Sequence, residues 1–304
     1  MKKNKFPNDA RVAYFGTSEF AVYVFDELKN AGIEPVVLVT PPDKPAGRGL
    51  AMSESPAKSW AIEHGIGVLQ PEKLIMTDEQ MSFILNSEWD VFIVASYGKL
   101  IPAEILRIPR YGTLNVHPSL LPKYRGPSPV ESQIIADDRE TGVSVMLLDE
   151  EMDHGPIVAQ ASITPEEWPM RASLLEELLG REGGTLLSET LPDWREEGMM
   201  SSETYEMNDG VVFKDKNPKL SPEPQDHTRA TFTKKVEKKD GLINLSDNPY
   251  QNYLKFCAYD LWPGTYFMHV AHGKEMRVKI TEASYKDDSF VIEKVIPEGK
   301  KEMD

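Results

Sequence analysis

Short, uninterrupted apolar runs alternate with helix-like segments through the first half of the chain, and this alternation leaves very few folds open. Arg11–Phe15, Pro35–Thr40 and Val91–Ala95 are each too short for a helix and are bounded by polar residues, Gly or Pro. Strands that are apolar on both faces must be covered on both faces, as in parallel sheets flanked by helices. Between the first two runs, Phe20, Val24 and Leu28 recur as on one side of a helix that opens near Ser18 and stops at Gly32. Ser55-Pro56 reads as the N-cap and first residue of a helix ending at Gly65, and Thr77–Gln80 as a capping box ahead of another. The predicted first part is therefore an α/β unit with an open, doubly wound, mostly parallel sheet. Ligands of such sheets sit beyond the carboxyl ends of the strands, so the loops after Phe15, Thr40, Ala95 and His117 are where a site is expected.

The pattern changes after a helix-like segment at Arg171–Leu191. Residues 193–228 are acidic, Pro-containing and aperiodic, and read as a linker. Beyond them come short β-like runs at Thr231–Val236, Gly241–Leu245, Thr265–Val270, Arg277–Thr281 and Ser289–Val295, with a helix expected over Pro249–Ala258. The predicted organisation is a catalytic domain at 1–192, a linker at 193–228 and a small β-barrel domain at 229–304. Charge follows the same division: residues 1–228 carry 37 acidic against 21 basic residues, while 229–304 carry 12 against 13. A net charge of −15 argues against nucleic-acid binding in general but allows a localised basic patch such as Lys234, Lys235, Lys238 and Lys239. No run is long and apolar enough to span a membrane, and Met1–Arg11 lacks the apolar stretch of a secretory signal. A single cysteine, Cys257, excludes an internal disulfide and thiolate zinc clusters, so a cytoplasmic address is expected. No metal is expected: His269 and His272 have no partners at ligand spacing.

Two segments carry chemistry. Thr113–His117 alternates as a strand, so Asn115 and His117 project from one face while Val116 points the other way. Pro118 cannot continue the ladder, which leaves the amide and the imidazole side by side at a strand end. In Thr141–Gly155, Val143, Val145 and Leu147 alternate as a strand, and the acidic turn after it places Asp153 where a carboxylate reaches back towards a histidine. Asn, His and Asp together suit acyl transfer to an amine: a donor for a developing oxyanion, a proton-handling imidazole and an orienting or proton-accepting carboxylate. No nucleophilic Ser or Cys is required, because an amine attacks directly. Taken singly, each residue also has a structural reading, as a strand-end histidine, a turn amide or surface charge.

At these residues the sequence resembles the folate-dependent formyltransferase family. The matching segments are FGTSEFAV (15–22), PDKPAGRG (42–49), SYGKLIP (96–102), NVHPSLLPKYRGPSP (115–129), TGVSVMLLDEEMDHGPI (141–157) and LWPGTY (261–266). The resemblance implies a Rossmann-like catalytic domain and an OB-like C-terminal barrel, whose end is expected to be shortened relative to the family. It implies Asn115, His117 and Asp153 as the catalytic set. The 10-formyltetrahydrofolate co-substrate is expected against Ser96, Tyr97, Gly98, Ser119, Leu120, Leu121, Pro122, Leu148 and Asp149. It further implies formylation of the amino group of initiator methionyl-tRNA, with Lys44 and Arg48 on the Pro41–Met52 loop contacting the tRNA, and a monomer at work. The nearest alternative is an N-formyltransferase acting on an amino-sugar nucleotide, against which the cationic loop speaks. A nicotinamide oxidoreductase is disfavoured by the single glycine after the first strand, Gly16.

Overall fold

The structure, a computed structural model, describes residues 6, 9–46, 51–198, 204–207, 210–213, 222–271 and 273–303. The chain divides into two compact units, one of residues 1–125, 142–162 and 177–231, the other of residues 126–141, 163–176 and 232–304. The elements of the first half are β1 (Val12–Gly16), α1 (Glu19–Asn30), β2 (Val37–Val39), β3 (Lys44–Ala46), β4 (Ala51–Ser53), α2 (Pro56–Glu63), β5 (Gly67–Leu69), α3 (Ser82–Leu85), β6 (Val91–Ala95), α4 (Ala103–Leu106) and β7 (Thr113–His117). Then follow α5 (Pro129–Ile135), β8 (Thr141–Leu147), β9 (Ile157–Ile163), the long α6 (Ala172–Gly198), and a small antiparallel pair, β10 (Thr204–Met207) with β11 (Gly210–Phe213). The last elements are α7 (Pro249–Ala258), β12 (Tyr266–Ala271), β13 (Lys274–Lys286) and β14 (Ser289–Pro297).

The main sheet has seven strands in the order β5-β2-β1-β6-β7-β8-β9. β5, β2, β1, β6 and β7 run parallel, and β8 turns antiparallel to β7. Its central strands are apolar throughout because both faces are covered. Ala13, Phe15, Val37, Val39, Phe92 and Val94 enter one core cluster with Met81, Ile84 and Trp89. On alternate positions Tyr14 stacks on Phe25 of α1 with ring centroids 4.4 Å apart. The Ser55 hydroxyl caps α2 by accepting the Lys58 amide at 3.2 Å, as the Ser-Pro pair predicts. The capping box expected at Thr77 does not form. Asp78 caps instead, accepting the Gln80 amide at 2.9 Å, while the Gln80 side chain turns away to accept the Gln70 amide.

α6 runs to Gly198, beyond the expected end at Leu191, and packs closely on the sheet. A Cβ on Gly183 would lie 2.4 Å from Cγ1 of Val116, so only glycine lets the helix approach β7 there. That contact also fixes Val116 towards α6 and hence Asn115 and His117 towards the opposite face. Strands β5 and β9 have no counterpart among the sequence expectations. The C-terminal unit contains the three-stranded antiparallel sheet β12-β13-β14, consistent with a small barrel. Two of the five predicted runs are not strands: Thr231–Val236 is irregular, and Lys238–Gly241 forms a 3-10 helix leading into Leu242, which makes only an isolated bridge. The second run meets the edge strand β12 only at Leu242–Tyr266, and β-propensity without a sustained ladder does not make a strand.

Candidate active site

β7 ends at His117, and Ser119 to Pro122 turn sharply away over the rim. The Ser119 hydroxyl donates to the Lys123 carbonyl at 2.7 Å, and the Ser144 hydroxyl donates to the Ser119 carbonyl at 2.6 Å. The same Ser144 oxygen accepts the Leu121 amide, and Gln160 of β9 donates to the Leu121 carbonyl. This loop, with a cis Leu121-Pro122 bond, is thus internally saturated, and Ser119 is a structural hydroxyl. It holds Tyr124 so that its carbonyl meets His117 Nε2 at 3.0 Å. A carbonyl only accepts, so Nε2 carries a proton and Nδ1 is the nitrogen left for exchange.

Nδ1 faces Asp153, whose Oδ1 lies 3.6 Å away, and both side chains are largely buried. Asp153 sits at φ +50°, a left-handed conformation uncommon outside glycine, though aspartate is among the side chains that enter it most readily. The turn carrying it is closed by Gly155. A Cβ there would fall 1.9 Å from the Leu147 carbonyl oxygen, and the neighbouring Pro156 carbonyl accepts the Leu147 amide. Asn115, 8% exposed, lies between Val94 and Met146 in register. Among the described residues its carboxamide makes no hydrogen bond, and its polar atoms are not fully enclosed, so they stay open to water or a ligand at the strand end.

Around this centre the rim loops are tied together. Thr17, after β1, donates to the Tyr97 carbonyl, and Ser18 donates to the Ser96 hydroxyl, so the first and third loops move as one. Ser96 and Gly98 both have positive φ, exposing backbone on the rim, while the Tyr97 ring turns into the core cluster. Burial pushes the Tyr97 phenol far up, and its hydroxyl has no hydrogen-bond partner among the described residues. Leu148 packs against the same cluster, and Leu120 touches the position where Gly142 would carry a Cβ. Asp149 accepts from the Glu151 amide and from His154 Nδ1 at 2.6 Å, so it organises the acidic turn. The structure brings Asn115, His117 and Asp153 into one corner, with Ser96–Gly98, Leu120–Pro122 and Leu148–Asp149 on the surrounding loops.

The root of the loop after β2 is firmly held. Lys58 pairs with Asp43 at 2.6 Å, and Gln70 donates to both Asp43 and the Pro41 carbonyl. Those bonds draw the Asp43 carboxyl below its usual range, the Lys58 hydrogen bond contributing most. Beyond that root β3 and β4 form a hairpin with Lys44 exposed on it; Arg48 lies outside the described residues, as does His272.

Sequence reasoning missed a second group of residues here. Arg125, only 3% exposed, donates to Gln225 Oε1 from Nε and Nη2 at 3.0 and 2.6 Å, and to His227 Nδ1 at 2.9 Å. Burial works against its charge, and Asp153, Asp149 and Glu151 support it. The His227 ring stacks on His154 with centroids 4.2 Å apart. Gln225 and His227 fall in a stretch read as linker, where only the flanking prolines Pro222 and Pro224 signal a fixed path.

An open, mostly parallel sheet carries an amide, an imidazole and a carboxylate at its carboxyl rim, an arrangement chemically suited to group transfer without a covalent nucleophile. The chain belongs to the formyl transferase family, whose sequence profile matches residues 10–172. Within it, the similarity is to methionyl-tRNA formyltransferases. That of Chloroflexus aurantiacus is 39% identical over 84% of this chain and 75% of the relative. That of Thermus thermophilus is 36% identical over 95% of this chain and 86% of the relative. The solved sugar 3N-formyl transferase WlaRD, seen with dTDP and 5-N-formyl-THF, has a TM-score of 0.61 at 15% identity, covering 91% of this chain and 87% of that one. At that identity it establishes the shared fold alone. Among the described residues no group of His, Cys, Asp and Glu is arranged to hold a metal ion, and no helix is long and apolar enough to cross a membrane.

Proposed function

We propose that this enzyme transfers the formyl group of 10-formyltetrahydrofolate to the amino group of methionyl-initiator tRNA, and that Asn115, His117 and Asp153 perform the transfer. The observation that carries the reading is the corner itself: an Asn115 amide with no hydrogen-bond partner among the described residues, beside a His117–Asp153 pair. An amide in that state fits a carbonyl-bearing ligand, since the ligand oxygen supplies the acceptor that the protein withholds. The bound folate supplies an activated formyl carbon on a nitrogen leaving group. Asn115 donates to the formyl oxygen as negative charge builds on it. The acceptor amine forms the new C–N bond, the bond to the folate nitrogen breaks, and the amine proton must leave. The Asp153 carboxylate and His117 Nδ1, 3.6 Å apart, are placed to take that proton and pass one to the departing folate nitrogen, while Nε2 stays bound to the Tyr124 carbonyl. Tetrahydrofolate and formylated methionyl-tRNA are the products.

Ser96–Gly98, Ser119–Pro122 and Leu148–Asp149 line the folate subsite in this reading, with backbone on the Ser96–Gly98 rim doing the polar recognition. Lys44, on the hairpin, and Arg48, four positions further along the chain, contact the tRNA phosphates in this reading. The domain limits at 192 and 229, a cytoplasmic address and a working monomer belong to the same proposal, and sedimentation checks the last. The sole cysteine fits it as a bystander, because burial pushes the Cys257 thiol up to about 11.

The test runs one folate donor against several acceptors: methionyl-initiator tRNA and a dTDP-linked amino sugar. Formylation of the tRNA with kcat/KM at least about 10³ above the sugar nucleotide is expected, as for a site built around one acceptor. Preferential formylation of the sugar nucleotide would overturn the acceptor assignment and leave the fold assignment intact.

A further inference from the structure

A single short segment, Glu223–Thr231, binds both loops that carry the site. Glu223 and Ile157 exchange backbone hydrogen bonds at 2.8 Å in each direction, anchoring the segment to the start of β9. At its other end the Thr231 hydroxyl accepts the Tyr124 amide at 2.8 Å, its carbonyl accepts the Arg125 amide, and its own amide donates to the Pro122 carbonyl. Tyr124 is the residue whose carbonyl orients His117.

Between these anchors lies Gln225, 5% exposed. Its Oε1 accepts twice from Arg125, and since a guanidinium can only donate, the amide orientation is fixed. Its Nε2 is therefore aimed the other way, donating to the backbone carbonyls of Asp153 at 2.9 Å and Gly155 at 2.7 Å. All four hydrogen-bonding positions of the side chain are used. Two of them clamp the turn on either side of His154, immediately after the residue held at φ +50°.

We propose that Gln225 is a positioning residue for formyl transfer, holding Asp153 in its left-handed conformation and thereby aimed at His117, with Arg125 fixing the direction of the amide. Gln225 touches no reacting atom; it acts through Asp153. The proposal rests on the assignment of Asp153 to the transfer step. A turn freed of this clamp relaxes towards negative φ, which swings the carboxylate away from Nδ1 and lowers turnover without touching either substrate's binding surface.

Gln225→Glu separates the clamp from mere packing. The carboxylate still pairs with Arg125 but offers no donor to the two carbonyls, while Gln225→Met removes both sets of bonds at similar volume. The measurement is kcat and KM for methionyl-tRNA in each variant, repeated in an Asp153→Ala background as a double-mutant cycle. A fall in kcat of about tenfold or more is expected for both variants, with KM within about twofold, and less than about twofold further loss once Asp153 is Ala. Equal fold-losses in both backgrounds, or wild-type kcat in folded Gln225→Glu, would overturn the proposal. If Asp153→Ala alone leaves turnover unchanged, it is the reading of the site that fails, and the cycle reports that separately.

Discussion

Asn115 offers the sharpest separation of catalysis from stability. The residue is 8% exposed and its carboxamide makes no hydrogen bond among the described residues, so removing it orphans no partner. Its polar atoms still reach the rim, so water satisfies them in the free protein and an apolar side chain of similar volume loses little. Asn115→Leu is therefore expected to keep folding stability within about 1 kcal/mol of wild type, a shift of at most a few degrees in Tm. The same change removes the donor facing the formyl oxygen and should lower kcat by about 10²–10³, or roughly 2.7–4 kcal/mol of transition-state stabilisation. Urea denaturation and steady-state formylation on one preparation give both numbers. A variant that loses stability and activity together would refute the reasoning, since Asn115 would then be a structural amide. So would turnover within about tenfold of wild type.

Other consequences follow from the same geometry. Lys44→Glu on the hairpin, and separately Arg48→Glu, should raise KM for tRNA and reduce the salt dependence by about one counterion each, with folate KM unchanged; equal losses with every acceptor would mark the loop as structural. Gly155→Ala forces a Cβ to within 1.9 Å of the Leu147 carbonyl, so the turn bearing Asp153 must shift. A destabilisation of about 1–3 kcal/mol in urea, with a drop in kcat, is the expected result. Burial raises the Glu131 carboxyl above its ordinary 4.5, so the folded state resists ionising it and loses stability as pH rises past that value. Glu131→Gln should accordingly be more stable than wild type at pH 8, with the gap closing near pH 4.5.

Much of the site was legible because it lies on regular structure. The two-residue period of Thr113–His117 and the stop at Pro118 are enough to put Asn115 and His117 on one face of a strand end, and β7 does so. Asp153 was legible from its loop after a strand and from the motif, but not its conformation, because a left-handed turn is announced by no periodicity. Gln225 was not legible at all. It lies in an aperiodic acidic stretch, and its importance comes from bonds to residues about seventy positions away. β9 escaped for a related reason: as an edge strand it is only partly buried, so its apolar alternation is diluted. The runs Thr231–Val236 and Gly241–Leu245 failed in the opposite sense, having strand-like composition but no sustained ladder with a neighbouring strand.

The central claim is that the imidazole at the end of β7, opposed by Asp153, carries out the transfer. Single-turnover formyl transfer by His117→Ala, with the variant shown to be folded and still binding the folate, tests it most directly. The account predicts a rate at least about a hundredfold below wild type. A rate close to wild type in that folded, folate-binding protein would contradict it.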